Sequence, residues 1–322
     1  MSRYIGKRLL MMIPVLLGVI VVVFSIMYMT PGDPARMILG ETAPASAVEE
    51  LRETLGLNDS YFSQLLNYVK NVVFKFDLGN SYSSKKPVID EILERFPTTI
   101  LLATLSVAIS VIVGVSMGIV SATKQYSIFD KIATSISLLG VSMPTFWAGL
   151  MAVIIFSVHL RWLPASGSYG WKYWILPSLT LGLSSSATIM RMTRSSMLEV
   201  IRQDYIRTAR AKGQNERVVI IYHALKNAMI PVITVIGMRF GTLLGGSVLI
   251  ESVFAIPGLG KFIIDSINMR DNPVVQGGVL LLALSFSICN LLVDILYGYL
   301  DPRIKSQYKL SKKRGLKKNV EA

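Results

Sequence analysis

Charge is scarce in this chain of 322 residues: Asp, Glu, Lys and Arg together supply 16% of it, where an average soluble domain carries about 25%. Cysteine is scarcer still. The single Cys289 can build neither a disulfide framework nor a cysteine-based metal centre within one chain. The two histidines, His159 and His223, fall in segments expected on opposite sides of a membrane, so no metal site is expected. Reaction motifs are missing as well. There is no G-x-x-x-x-G-K-[ST], no H-E-x-x-H, no G-x-S-x-G and no pair of carboxylates within one apolar run. The chain is therefore expected to be no enzyme and to bind no cofactor of its own.

Acidic residues are also few, 20 against 33 basic ones, for a net charge of +13. In a soluble protein such a balance would suggest nucleic acid. Here the Lys and Arg cluster in segments between apolar runs, which is the positive-inside pattern of a membrane protein, with lipid and not nucleic acid as the partner. What the chain has in abundance is apolar sequence: 52% hydrophobic residues and a mean hydropathy of +0.52.

The apolar runs predict an all-α, polytopic membrane protein of six transmembrane helices. A basic head (1–8) precedes a first span (9–29), and Thr30-Pro31-Gly32-Asp33-Pro34 breaks it on the outer side. Residues 30–97 form an extracytoplasmic segment with helical periodicity at Val48, Leu51, Leu55 and at Phe62, Leu65, Leu66, Val69. It suits either a docking surface for a binding protein or a cap packed on its own membrane domain. A five-helix membrane domain (98–300) follows, with spans expected at about 98–122, 132–158, 174–192, 228–250 and 278–300, and a basic tail (301–322) closes the chain. Six spans place both termini in the cytoplasm.

Within the spans a few residues stand out. Pro144 is expected to kink the third span, as a wall of a pathway or a packing feature. Ser184 and Ser185, with Ser186, can line a polar cavity or bond their own helix. Gly237, Gly241 and Gly245 recur at every fourth position, a close-packing stripe that faces another helix, of this chain or of a second subunit. Arg239 lies near the middle of its span, where a charge is costly unless it faces a wet pathway or a carboxylate.

The segment 193–227 is too long and too regularly patterned for a simple connection. Its part from Asp204 to Lys212 reads as a helix ending at Gly213, and the part from Glu216 to Asn227 as a second surface helix with Val218, Ile221 and Leu225 on one face. Arg207-Thr208-Ala209, three residues, Gly213, nine residues, then His223-Ala224-Leu225-Lys226 resembles the Glu-Ala-Ala coupling loop of ABC-importer permeases. The Ala, Gly and Leu match; the Glu and the terminal Pro do not. ARAKG with HALKNAMIP, the TPGDP after the first span, and later IES-VF, PGLG and RD-PVVQG are similar to the dipeptide/oligopeptide/nickel branch of that family. Gly258-Leu259-Gly260-Lys261 lacks the spacing of a nucleotide loop.

The resemblance implies a type I importer permease fold with a helical insertion after the first helix. It implies a coupling surface made of Arg207, Thr208, Ala209, Lys212, Gly213, His223 and Leu225, with the small Ala209 allowing close approach to an ATPase. Its partners would be a second, similar permease, two ATPase subunits that use ATP and Mg, and an extracytoplasmic solute-binding lipoprotein or periplasmic protein. Di- or oligopeptides are the expected cargo, with nickel chelates or other small solutes as the alternative within the branch. From a different class, a self-sufficient secondary transporter would require an internal repeat and paired mid-membrane charges; Arg239 stands alone in that respect.

Overall fold

A backbone in hydrocarbon must satisfy its own hydrogen bonds, so long apolar runs become long helices. The computed structural model describes residues 2–40 and 42–300, with side chains described up to Leu296. The basic tail expected at 301–322 lies outside the described residues. Among the described residues the chain is helical, with one isolated bridge between Asn80 and Pro87 and no strand.

The first helix, α1 (Ser2–Met29), absorbs the basic head instead of following it. Short helices α2 (Pro34–Leu39), α3 (Ala45–Thr54) and α4 (Tyr61–Lys70) come next, and α4 runs on into a π-wound turn, Asn71–Lys75. The amphipathic stretch from Val88 is continuous with the second span in α5 (Val88–Thr123). Then follow α6 (Ile128–Ser142), α7 (Thr145–Ala152), α8 (Lys172–Ile201), α9 (Asp204–Ala211), α10 (Glu216–Val218) and α11 (Lys226–Gly246). The chain closes with α12 (Val248–Val253), α13 (Leu259–Asn268) and α14 (Asn272–Leu300).

Four of these stretches are long and apolar enough to cross a bilayer: Ile5–Met29, Val88–Thr123, Glu216–Gly246 and Asn272–Leu296. Two expectations need correction. Pro144 does not kink one continuous third span. The helix ends at Ser142, Met143 is extended (ψ 127°), and Thr145–His159 leaves at a bend of 102°. Pro144 sits at that break as an exposed residue, the cap of α7. The fourth span, α8, is 30 residues long, about 45 Å at 1.5 Å per residue, yet it is not among the apolar spans. Its composition follows from its position. Ser178, Thr180, Gly182, Ser185, Ser186 and Thr193 are buried, so neighbouring helices, and not lipid, surround much of it.

The closest seam joins α5 to α8 through glycine. A Cβ added at Gly114 would lie 2.7 Å from the Ser186 carbonyl, one at Gly118 2.6 Å from Thr193 Cβ, and one at Gly182 2.9 Å from the Ser106 carbonyl. An approach this near leaves no room for a side chain at these three positions. The fifth-span stripe is divided. A Cβ at Gly237 would lie 2.1 Å from Val293 and one at Gly241 3.2 Å from Cys289 and Phe286, so both face α14 of the same chain, whereas Gly245 faces open space. α1 joins the bundle through α14, with Arg8 paired to Asp294 at 3.1 Å.

The segment between α1 and α5 packs on the end of this bundle. Asp33 caps α2, accepting from the Ala35 amide at 3.1 Å and from Arg52 at 2.8 Å. Arg270 bonds the Pro31 carbonyl, and Asp271 accepts from Ser81 Oγ (2.5 Å) and from the Tyr82 and Ser83 amides (both 3.1 Å). The TPGDP and RD-PVVQG strings, 239 residues apart at the Arg270–Pro31 bond, therefore form one junction. The IES and PGLG strings form a second. Glu251, fully buried, accepts from Thr99 (2.8 Å), Ser247 (2.9 Å) and the Lys261 amide (3.0 Å). Gly258 and Gly260 stand against it because a Cβ would fall 2.4 Å and 3.0 Å from its carboxylate.

Candidate coupling surface and interior polar sites

The 193–227 segment is built from the end of α8 outward. Gln203, with ψ 150°, turns the chain out of α8 into α9. In α9, Ile206 and Ala209 are buried while Arg207, Thr208, Arg210 and Lys212 are exposed. The helix ends as a Schellman turn: the Gly213 amide donates to the Arg210 carbonyl (2.9 Å) and the Gln214 amide to the Ala209 carbonyl (3.4 Å). Gly213 has φ +78° with nothing within 4 Å of its Cβ position, so conformation and not space requires glycine there. Across the corner Arg210 grips Glu216 with two bonds of 2.7 and 3.1 Å. Gln214 meets His223 Nε2 at 2.7 Å, and Asn227 donates to Tyr205 at 2.9 Å.

Two readings of this segment are corrected. Residues from Glu216 do not form a separate surface helix. α10, a π-wound turn at Val219–Leu225 and α11 stack end to end into one helix, Glu216–Gly246. The wider π winding changes the phase of the side chains. Val219, Ile220 and Ala224 are therefore buried, Leu225 is half-buried, and Val218 and Ile221 are exposed, together with Tyr222 at 71%. The second correction concerns Ala209. Its methyl joins a cluster with Ala122, Met197, Ile206, Val219 and Ala224, so the close approach it allows is within its own chain, chiefly to the π-wound turn. The outward surface of the segment includes Arg207, Thr208, Lys212 and Gly213, and Tyr205, Ile221 and Tyr222 are exposed as well.

Next to this surface lies a cluster that the sequence reading passed over. Asp130, at the start of α6, accepts from Arg194 of α8 through both carboxylate oxygens (2.8 Å each), from the Tyr126 amide (2.9 Å) and from Ser121 of α5. Its side chain is 5% exposed. One ion pair thus ties three helices together where they meet the coupling segment. Ser127-Ile128-Phe129-Asp130 is a capping-box pattern that marks the start of α6, with the Ser127 hydroxyl accepting from the Asp130 amide at 3.3 Å. Glu251 and Asp271 had no such local signal.

Deeper in the bundle, Arg239 of α11 donates to Thr188 of α8 at 2.8 Å and is half-buried. Among the described residues no carboxylate pairs with it. Ser184 lies four residues before Thr188 and shares its face of α8, half-buried, while Ser185 is buried. Ser186 bonds the Leu183 carbonyl of its own helix at 2.7 Å. Arg239 and Thr188 therefore form a polar contact between α8 and α11, with Ser184 one turn away on α8. Pro144 is remote in kind, an exposed turn residue.

Nearly all of the chain matches known transport proteins. Residues 114–306 match the family described as binding-protein-dependent transport system inner membrane component, and residues 1–103 its N-terminal component. The dipeptide transport system permease protein DppB of Alkalihalophilus pseudofirmus is 47% identical, covering 95% of this chain and all of that protein. The glutathione transport system permease protein GsiC of Escherichia coli K12 is 45% identical, over 95% of this chain and 99% of its own length. Among solved structures, an inward-facing MetNI methionine ABC transporter aligns with a TM-score of 0.54 and 17% identity, over 66% of this chain and 97% of that one, a likeness of fold. The chain belongs to the binding-protein-dependent transport system inner membrane components and is a multi-pass permease subunit of an ABC importer, a transport component and not an enzyme.

Proposed function

We propose that this chain forms half of the membrane pathway of an importer for di- and oligopeptides. The observation that carries this reading is 47% identity to a dipeptide permease over 95% of this chain, joined to the exposed Arg207, Thr208 and Lys212 of α9 and its end. A second, homologous permease supplies the other half. A binding protein delivers cargo from outside, and two ATPase subunits, which hydrolyse ATP with the help of Mg, dock on the α9 surface.

The orientation follows from charge. The start of α1, the α5–α6 turn with Lys124 and Lys131, and the 193–227 segment share one end of the bundle through Arg8–Asp294 and Asp130–Arg194. This basic end is cytoplasmic and the Asp33–Asp271 end is outside. Motion of the ATPases reaches the bundle through α9, whose buried Ile206 and Ala209 share one cluster with Met197 of α8 and Val219 and Ala224 of the π-wound turn, and through Glu216–Gly246, a single helix leading from that surface to Arg239. Arg239, Thr188 and Ser184 line the pathway side of this lever. Access alternates as the two permeases shift against each other.

The test is uptake by the reconstituted four-component transporter. Labelled dipeptide accumulates only with ATP and binding protein, and unlabelled peptide competes while a nickel chelate does not. ATP-dependent uptake of the chelate with no competition by peptide would overturn the cargo.

A further inference from the structure

Helix α4 divides into three sectors, and only two of them have an evident neighbour. At about 100° per residue, Tyr61, Leu65 and Tyr68 fall on one side. Tyr61 and Tyr68 pack there on Phe24 of α1, at ring centroid distances of 5.8 and 5.7 Å, and Tyr61 bonds Ser25 at 2.7 Å. A second sector carries polar side chains, of which Gln64 and Asn67 border a cavity of about 560 Å³. The third sector is apolar and bare: Phe62 is 78% exposed and Leu66 69%, and the adjoining π turn adds Phe74 at 78%.

We infer that this third sector lies in the outer leaflet of the bilayer, so that α4 is an interfacial helix held beside the first span. The height is fixed by the Ser25–Tyr61 contact. Ser25 lies four residues before the end of α1, about 6 Å along the axis, which puts Tyr61 at the headgroup boundary. The lateral position follows from continuity. The lipid-facing side of α1 stays apolar to its end, with Val22 56%, Ile26 58% and Met29 81% exposed, and the bare sector of α4 extends that surface. Lys70 and Lys75, exposed at the far end, suit phosphate headgroups, and the aromatic content suits the interface. Bare to water, Phe62, Leu66 and Phe74 would leave a large apolar patch on a polar segment. This inference rests on α1 being a membrane span and not on the nature of the cargo.

The experiment uses the assembled transporter in lipid nanodiscs, carrying Cys289→Ser and one nitroxide-labelled cysteine at a time: Phe62→Cys, Leu66→Cys or Asn67→Cys. Labels at 62 and 66 are expected to be several-fold more accessible to oxygen than to an aqueous nickel chelate, with the order reversed at 67. Two separate positions keep the test open if one variant assembles poorly. Chelate access at 62 and 66 equal to that at 67 would overturn the inference. So would protection from both reagents, whether constant, as in a contact with the second permease, or appearing only when binding protein is added.

Discussion

Asp130 shows how much one side chain can organise in this bundle. Its carboxylate accepts from Arg194, Ser121 and a backbone amide, so three helices share one nearly buried charge. Removing one partner of a buried pair costs about 3–5 kcal/mol because the other charge is stranded. Arg194 keeps 27% of its side-chain exposure, which places this pair at the low end. Arg194→Ala should therefore lower the thermal midpoint in detergent markedly, and Asp130→Ala likewise. The double variant should lose less than the sum of the two, the signature of direct coupling.

Asp33 carries a pH dependence at the same scale. Partial burial pushes its pKa up, but the bond from Arg52, the Ala35 amide and the charges of Arg52 and Arg36 outweigh this and hold it below 3.8. A carboxyl with a depressed folded pKa stabilises the fold above its unfolded value, about 3.9, and that stability is lost as pH falls through the folded value. Protease sensitivity of the 34–70 region should thus rise at a pH below 3.9, and Asp33→Asn should flatten that rise while leaving the region less protected at neutral pH.

At the scale of elements, the seam between α5 and α8 separates what sequence shows from what only packing decides. The four-residue spacing of Gly114 and Gly118 announces a close approach, but the partner is visible only in the fold, where Gly118 stands against Thr193 and Met190. Gly118→Ala should cost about 1–3 kcal/mol by overpacking. Gly140→Ala, at a position with nothing within 4 Å of the new methyl, should be neutral or stabilising by about 0.5–1 kcal/mol as a helical Gly-to-Ala change. Melting curves of the two variants side by side provide the check.

Proline makes the same point about elements. Pro14, Pro97, Pro177 and Pro231 all sit inside helices, whereas Pro144 marks a 102° turn. Proline removes one amide in every case, so residue type alone cannot tell a tolerated kink from a break. At 144 the tertiary contacts decide, because Gly149 of α7 packs on Ile250 and Phe254, and α7 must turn to reach them.

For the molecule as a whole, hydropathy marks nearly every long helix. It is least informative for α8, whose polar residues are hidden by neighbours and so carry no signature of a lipid-facing span. The coupling segment is readable in its chemistry: Arg207, Thr208 and Lys212 are exposed and Gly213 adopts the left-handed turn. Its faces are not readable, because a π-wound turn shifts the phase from Val219 on and because Ala209 is covered by side chains distant in sequence, among them Ala122 and Met197. The order of the strings TPGDP, IES-VF, PGLG and RD-PVVQG suffices to indicate the family. That they close pairwise through Arg270, Asp271 and Glu251 is a property of the fold.

If α9 receives motion from an ATPase, the two surfaces must touch, and a crosslink between them reports that contact. Thr208 is exposed on α9 while Ala209 is not, so the probe is Thr208→Cys in a Cys289→Ser background, in membranes that also contain the co-expressed ATPase subunits. A crosslink to the ATPase whose yield changes with bound nucleotide is the predicted result. Normal insertion and expression with no crosslink in any nucleotide state would mean that α9 docks no ATPase, and would leave Arg239 as the centre of a transporter that works alone.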